Sequence, residues 1–159
     1  MSAQLNDQRV ELVPYEPKHH DAFRRLNEAW ISRHFRIEPP DTRVLAAPQQ
    51  EILDQGGEII VAVRAGEVAG VCALLRVDGD TFELVKMAVA ESARGLGIGF
   101  LVGQEAIRRA RAAGVSRLIL ESNTVLAPAI ALYRKLGFVE VTGIPSEYSR
   151  CNIHMELKL

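Results

Sequence analysis

The stretch Val89-Ala90-Glu91-Ser92-Ala93-Arg94-Gly95-Leu96-Gly97-Ile98-Gly99-Phe100 constrains this chain more than any other part of it. An apolar run enters a turn with alternating glycines, and an amphipathic pattern follows. Glycine tolerates positive φ and lets a ligand approach the main chain closely. The pattern predicts a strand that turns directly into a helix. Free N–H groups at such a helix start, backed by the helix dipole, favour a phosphate or pyrophosphate. Arg94 adds a fixed positive charge and a fork of donors. The bland alternative is a turn whose glycines serve only the backbone; the arginine and the flanking elements favour anion binding.

Two familiar phosphate motifs do not fit. A P-loop needs Gly-Lys-Ser/Thr, which is absent. The dinucleotide fingerprint G-x-G-x-x-G fails in both frames, ending on Phe100 or Val102. Glu121 lies at about the spacing of a ribose-binding acid. Hairpin strands precede the loop, however, where a Rossmann unit would begin with it.

The surrounding pattern fills in the elements. Arg9 to Tyr15 reads as a first strand, and Pro17 suits the first position of a helix that carries Ala22, Phe23, Leu26, Ala29 and Trp30. Glu38-Pro39-Pro40-Asp41 breaks that helix. A weakly helical stretch around Val44, Leu45, Ile52 and Leu53 follows, interrupted by Pro48 and ended by Gly56-Gly57. Glu58 to Arg64, Val68 to Val77 and Thr81 to Ala90 read as strands, the first buried on both faces. A helix from about Gly97 to Ala113 presents Phe100, Leu101, Ile107 and Ala110 to the core, with Arg108, Arg109 and Arg111 as a solvated face. Val115 to Glu121 is a strand, Ala127 or Pro128 to Leu136 a helix, and Phe138 to Val141 and Arg150 to Leu159 closing strands. The order implies a mixed sheet with helices on both sides.

At 159 residues the chain suits one domain, residues 1–159. Lys+Arg of 19 against Asp+Glu of 20 leaves no electrostatic footprint for nucleic acid or anionic membrane. No window approaches the roughly 18 apolar residues of a membrane helix. Met1 to Asp7 lacks the basic and apolar regions of a secretory signal. Cys72 and Cys151 have no partner at metal-ligand or CxxC spacing and read as small buried hydrophobes in a reducing, cytoplasmic setting. No metal is expected.

Arg94-Gly95-Leu96-Gly97-Ile98-Gly99 resembles the R/Q-x-x-G-x-G/A acyl-CoA signature of the GNAT superfamily of N-acetyltransferases. Glu83 to Val89 resembles that family's fourth strand. Leu120-Glu121-Ser122-Asn123 and Ala129-Ile130-Ala131-Leu132-Tyr133-Arg134-Lys135-Leu136-Gly137-Phe138 resemble its second motif. The match runs from about Glu58 to Val141 in order and spacing. The resemblance implies an α/β (α+β) fold with a central mixed, mostly antiparallel sheet of six to seven strands, flanked by helices on both faces. It also implies acetyl-CoA as acetyl donor, a small-molecule or peptide amine as acceptor, and direct attack in a ternary complex. Dimers are common in the family, so a homodimer is open. By the same resemblance Met87, Ala88 and Val89 would pair with the pantetheine arm through their backbone. The amides of Arg94, Gly95, Leu96, Gly97, Ile98 and Gly99 would hold the pyrophosphate. Asn123 would contact the cofactor where two strands splay.

Two residues suit the chemistry. An ammonium must lose its proton before attacking a thioester, so a base is useful. Alternation puts Glu83 on one face with Thr81, Val85, Met87 and Val89, and a carboxylate on an apolar face has a raised pKa suited to general-base work. The competing reading is an acid at an exposed strand start, paired to a lysine or arginine. Tyr133 would protonate the departing thiolate, against a plain packing role beside Ile130 and Leu136. Trp30, His34 and Phe35, with Tyr148, are candidates to line the acceptor pocket, against ordinary core and edge-hairpin roles; Arg150 and Asn152 fall near them. His19-His20 reads as a solvated pair, and His154 as surface. The rival functions are a silent acyl-CoA-binding sensor and a nucleotide-binding oxidoreductase.

Overall fold

The computed structural model describes residues 9–159. The expectation drawn from Met1 to Asp7 lies outside them. Strand β1 (Val10–Pro14) leads into a 3-10 turn, Pro17–His19, that continues as α1 (His20–His34). The proline-rich segment predicted to break that helix also starts the next one. Glu38 is the N-cap of α2 (Pro39–Ala46), and its N–H donates to Asp41 Oδ2 at 2.9 Å in a reciprocal capping box. A π-helical turn, Gln49–Leu53, completes the weakly helical stretch.

Strands β2 (Glu58–Arg64), β3 (Glu67–Asp78) and β4 (Thr81–Val89) follow as a meander. Then come α3 (Ile98–Ala112), β5 (Arg117–Ser122), α4 (Ala127–Leu136), β6 (Val139–Val141) and β7 (Ile153–Lys158). Strand β7 begins later than the alternation suggested, leaving Arg150 and Cys151 in the segment before it. The seven strands form one sheet in the order β1-β2-β3-β4-β5-β7-β6. Only β4 and β5 pair in parallel, so the sheet is mixed and mostly antiparallel as expected.

Each face of the sheet buries its own core. On one face Leu74, Phe82, Leu118 and Leu120 pack under Ile98, Val102 and Ala106 of α3, with Tyr133 and Leu136 of α4 beside them. On the other, Ile59, Val61 and Val71 pack under Phe23 of α1, Val44 and Leu45 of α2, and Ile52. The predicted core face of α3 is shifted: Phe100 and Leu101 are only half-buried, and Phe100 packs under Lys135, whose Nζ lies 4.5 Å from its ring centre. Arg109 is not solvated. It bonds Glu105 Oε2 at 2.9 Å and the Ile59 carbonyl at 3.2 Å, fastening α3 to β2. His19 and His20 are likewise tied down. His19 is buried and accepts from the Glu16 amide, and His20 Nε2 lies 2.9 Å from the Leu45 carbonyl.

One irregularity in β4 governs the site. The β3–β4 register slips between Val71↔Ala88 and Ala73↔Val85, and Lys86 has φ of 53°, in the left-handed region that side chains avoid. Before this bulge, Phe82 and Leu84 face the α3 core and Val85 the α1 core; after it, Met87 and Val89 face the α3 core and Ala88 the α1 core. The extra residue reverses the alternation. Glu83 therefore does not share a face with Met87 and Val89, as simple parity required.

Candidate active site

Strands β4 and β5 run side by side only from Thr81↔Arg117 to Leu84↔Leu120. Beyond that point they part, and β4 continues to Val89 with no β5 partner for its edge. Glu83 to Val89 and Glu121 to Asn123 line the resulting cavity, of about 580 Å³. A strand edge without a partner offers main-chain donors and acceptors to an extended ligand. Met87, Ala88 and Val89 all line this opening.

The glycine turn stands at one end. Gly97 caps α3 with φ of 77°, and Gly95 has φ of 80°; a Cβ at either would meet nothing within 4 Å. The first backbone bond of α3 runs from the Leu101 amide to the Gly97 carbonyl. The preceding amides, Ile98 to Phe100, therefore have no acceptor in the helix, and none among the described residues. The Arg94 amide differs: it bonds the Glu91 carbonyl at 3.3 Å, so Arg94 brings its exposed side chain to the cavity while its N–H is spent. Open space, unpaired amides, an arginine and a free strand edge together fit a phosphate-bearing, strand-like ligand such as acetyl-CoA.

Glu83 lines the cavity close to where the strands part. Burial, reinforced by the charge of Glu121, raises its carboxyl to about 7, although Lys86 works in the opposite direction. Tyr133 lines the same cavity from α4, edge-on to Phe138 at 6.1 Å between ring centres. Burial pushes its phenol up to about 12, so it stays protonated. Trp30, His34 and Phe35, at the end of α1, and Tyr148 line the cavity too. The Trp30 indole donates to Asn27 Oδ1 at 3.0 Å, which fixes the ring. Asn123 reaches the cavity, but its side chain is committed on both ends. It donates to the Arg150 carbonyl at 2.7 Å and accepts from the Val125 amide at 2.9 Å. Asn152 ties the same loop by accepting from the Thr124 amide.

Three features escaped the sequence. Asp41, wholly buried, accepts from Lys86, from both terminal nitrogens of Arg150 at 2.7 and 2.6 Å, and from the Glu38 amide. Burial alone would raise its carboxyl; hydrogen bonds from Arg150 and Lys86 outweigh that and hold it at about 2. Lys86 also donates to the Tyr148 hydroxyl at 3.2 Å, and Arg150 lies 4.4 Å over the Tyr148 ring. The lone lysine in the apolar run Leu84-Val85-Lys86-Met87-Ala88-Val89 was the available signal for a buried partner. Second, Glu121, Cys151 and His154 converge, so His154 is not a surface residue and Cys151 is a half-buried cavity wall rather than a core hydrophobe. Third, a smaller cavity of about 250 Å³ shares Glu83, Val85, Lys86, Glu121 and Tyr148 with the large one and adds Glu147 with its partner Arg43 at 3.4 Å.

Similar proteins share this architecture. An acetyltransferase of the GNAT family from Staphylococcus aureus Mu50 superposes with a TM-score of 0.86 at 18% identity, over 94% of this chain and 99% of that one. The structure of yncA from Salmonella typhimurium with its cofactor acetyl-CoA gives 0.74 at 21% identity, over 95% and 94%. By sequence, the IAA acetyltransferase of Azospirillum brasilense is 39% identical over 102 residues, 63% of this chain and 61% of that protein. The match therefore spans less than two thirds of that relative's length. Among the described residues no helix is long and apolar enough to cross a membrane. The profile of the acetyltransferase (GNAT) family matches residues 18–138, and the chain belongs to that family.

Proposed function

We propose that this protein moves an acetyl group from acetyl-CoA to a primary amine by direct attack in a ternary complex. The observation that carries the reading is Glu83: a carboxyl raised to about 7 inside a cavity opened by the parting of two parallel strands. Bound acetyl-CoA supplies the activated acyl group as a thioester. Arg94 and the amides at the start of α3 hold the diphosphate, and the free edge at Met87 to Val89 aligns the pantetheine arm. Glu83 takes the ammonium proton, directly or through a water, leaving the nitrogen lone pair free to bond the acyl carbon. As the C–S bond breaks, Tyr133 donates its hydroxyl proton to sulfur, and the second proton lost by the acylated nitrogen restores the phenol. Trp30, Phe35 and Tyr148 shape the acceptor side.

Thiol release over a panel of amines tests this. Glu83→Gln should lower kcat by about 10²–10⁴-fold and remove the rise of activity with pH around neutrality. Tyr133→Phe keeps the ring and deletes the donor; a kcat loss above tenfold is expected, and turnover within a few-fold of wild type sinks the acid role. Acetyl-CoA binding with no thiol release on any amine would favour the sensor instead.

A further inference from the structure

Glu121 and His154 are directly opposite one another on β5 and β7, and Cys151 lies three residues before His154. Their ligand atoms all lie within 4.8 Å of one another. Cys151 Sγ is 3.7 Å from His154 Nε2, and the same nitrogen is 3.4 Å from Glu121 Oε1. A hydrogen-bonded relay would use both ring nitrogens, one for the thiol and one for the carboxylate. Here both contacts converge on one nitrogen, as they do when three atoms share a central cation. The two edges that meet at His154 agree with a zinc centre. Zinc bonds of about 2.3 Å to sulfur and about 2.0–2.1 Å to nitrogen and oxygen, at tetrahedral angles, put S and N about 3.6 Å apart and N and O about 3.4 Å apart.

We propose that Glu121, Cys151 and His154 form a three-ligand site for zinc, with its fourth position open to the large cavity. A thiolate and an imidazole select zinc over magnesium or calcium, whose ligands are oxygens. Ser146 supports the arrangement by donating its hydroxyl hydrogen to Glu121 Oε2 at 2.8 Å, which leaves Oε1 for His154. Glu121 and Cys151 both line the cavity, so a ligand entering there reaches the open side. The site rests on these side chains alone and stands whether or not the protein transfers acetyl groups.

Titration of the full chain with Co(II) and Zn(II) tests it. Wild type should bind one equivalent and show a thiolate-to-cobalt charge-transfer band. Cys151→Ser should lose the band while Cys72→Ser keeps it. His154→Gln and Glu121→Gln should each weaken zinc at least tenfold in competition with a chelator, with circular dichroism showing the fold intact. Absence of saturable binding, a band that survives Cys151→Ser, or unchanged zinc affinity in both Gln variants would overturn the proposal.

Discussion

Burial works against the charge of Glu83, and Glu121 works against it too. Its carboxyl ordinarily titrates near 4.5 and here near 7, so the folded chain holds the proton more tightly than the unfolded one. The sign follows: this group favours folding below its ordinary value, and that contribution is lost as pH rises through about 7. Ionising Glu83 should therefore cost the fold about 2–3 kcal/mol at pH 8 relative to pH 4. Glu83→Gln removes that cost. Urea unfolding should show the variant gaining on wild type between pH 5 and 8; a gap that is flat or shrinks over that range contradicts the raised carboxyl. The activity loss and the stability gain would then appear in one substitution, as expected where function needs an environment that folding disfavours.

Among the elements, the informative case is the bulge of β4. Strand β4 itself was legible, because Thr81 to Ala90 is apolar and bounded by Asp78-Gly79-Asp80 and the glycine turn. The side toward which each residue points was not, because parity assumes an unbroken pleat and Lys86 inserts one residue. The glycine turn and the long helices α1, α3 and α4 were equally readable, since capping and periodicity are local. The convergence of Glu121 with His154 depends on strand pairing across 33 positions of sequence, and that of Asp41 with Lys86 and Arg150 on three separate elements, which no local pattern reports. Asp41 fastens α2, the bulge and the segment before β7 at one buried point. Asp41→Asn keeps the shape but leaves the buried Lys86 ammonium without its counter-charge and Arg150 with Glu38 alone at 3.4 Å, an expected loss of about 3–5 kcal/mol. Because Asp41 is held at about 2 against an ordinary 3.8, its contribution is present above that ordinary value and disappears as pH falls toward 2. Acid unfolding of wild type should thus steepen between pH 4 and 2, and Asp41→Asn should lack that limb.

For the molecule as a whole, occupancy of the cavity is expected to dominate stability. A ligand that binds only the folded chain at a hundred times its Kd adds about 2.7 kcal/mol, or about 5–10 °C in Tm for a chain of this size. Acetyl-CoA should produce that shift. Arg94→Ala, which removes one exposed charge from the diphosphate end, should raise KM about tenfold with little change in kcat. At the same ligand concentration it should roughly halve the thermal shift. A full shift in the variant would place the diphosphate elsewhere. Between β4 and β5 the sheet is stitched by residue pairs only from Thr81 to Leu84 on one side and Arg117 to Leu120 on the other. Within the sheet, β1–β4 and β5–β7–β6 form two slabs whose strands pair only along this short seam, while the core under α3 spans both. A strand-like ligand filling the wedge beyond that seam would replace the missing rungs, so that cargo and scaffold would share one continuous pleated surface.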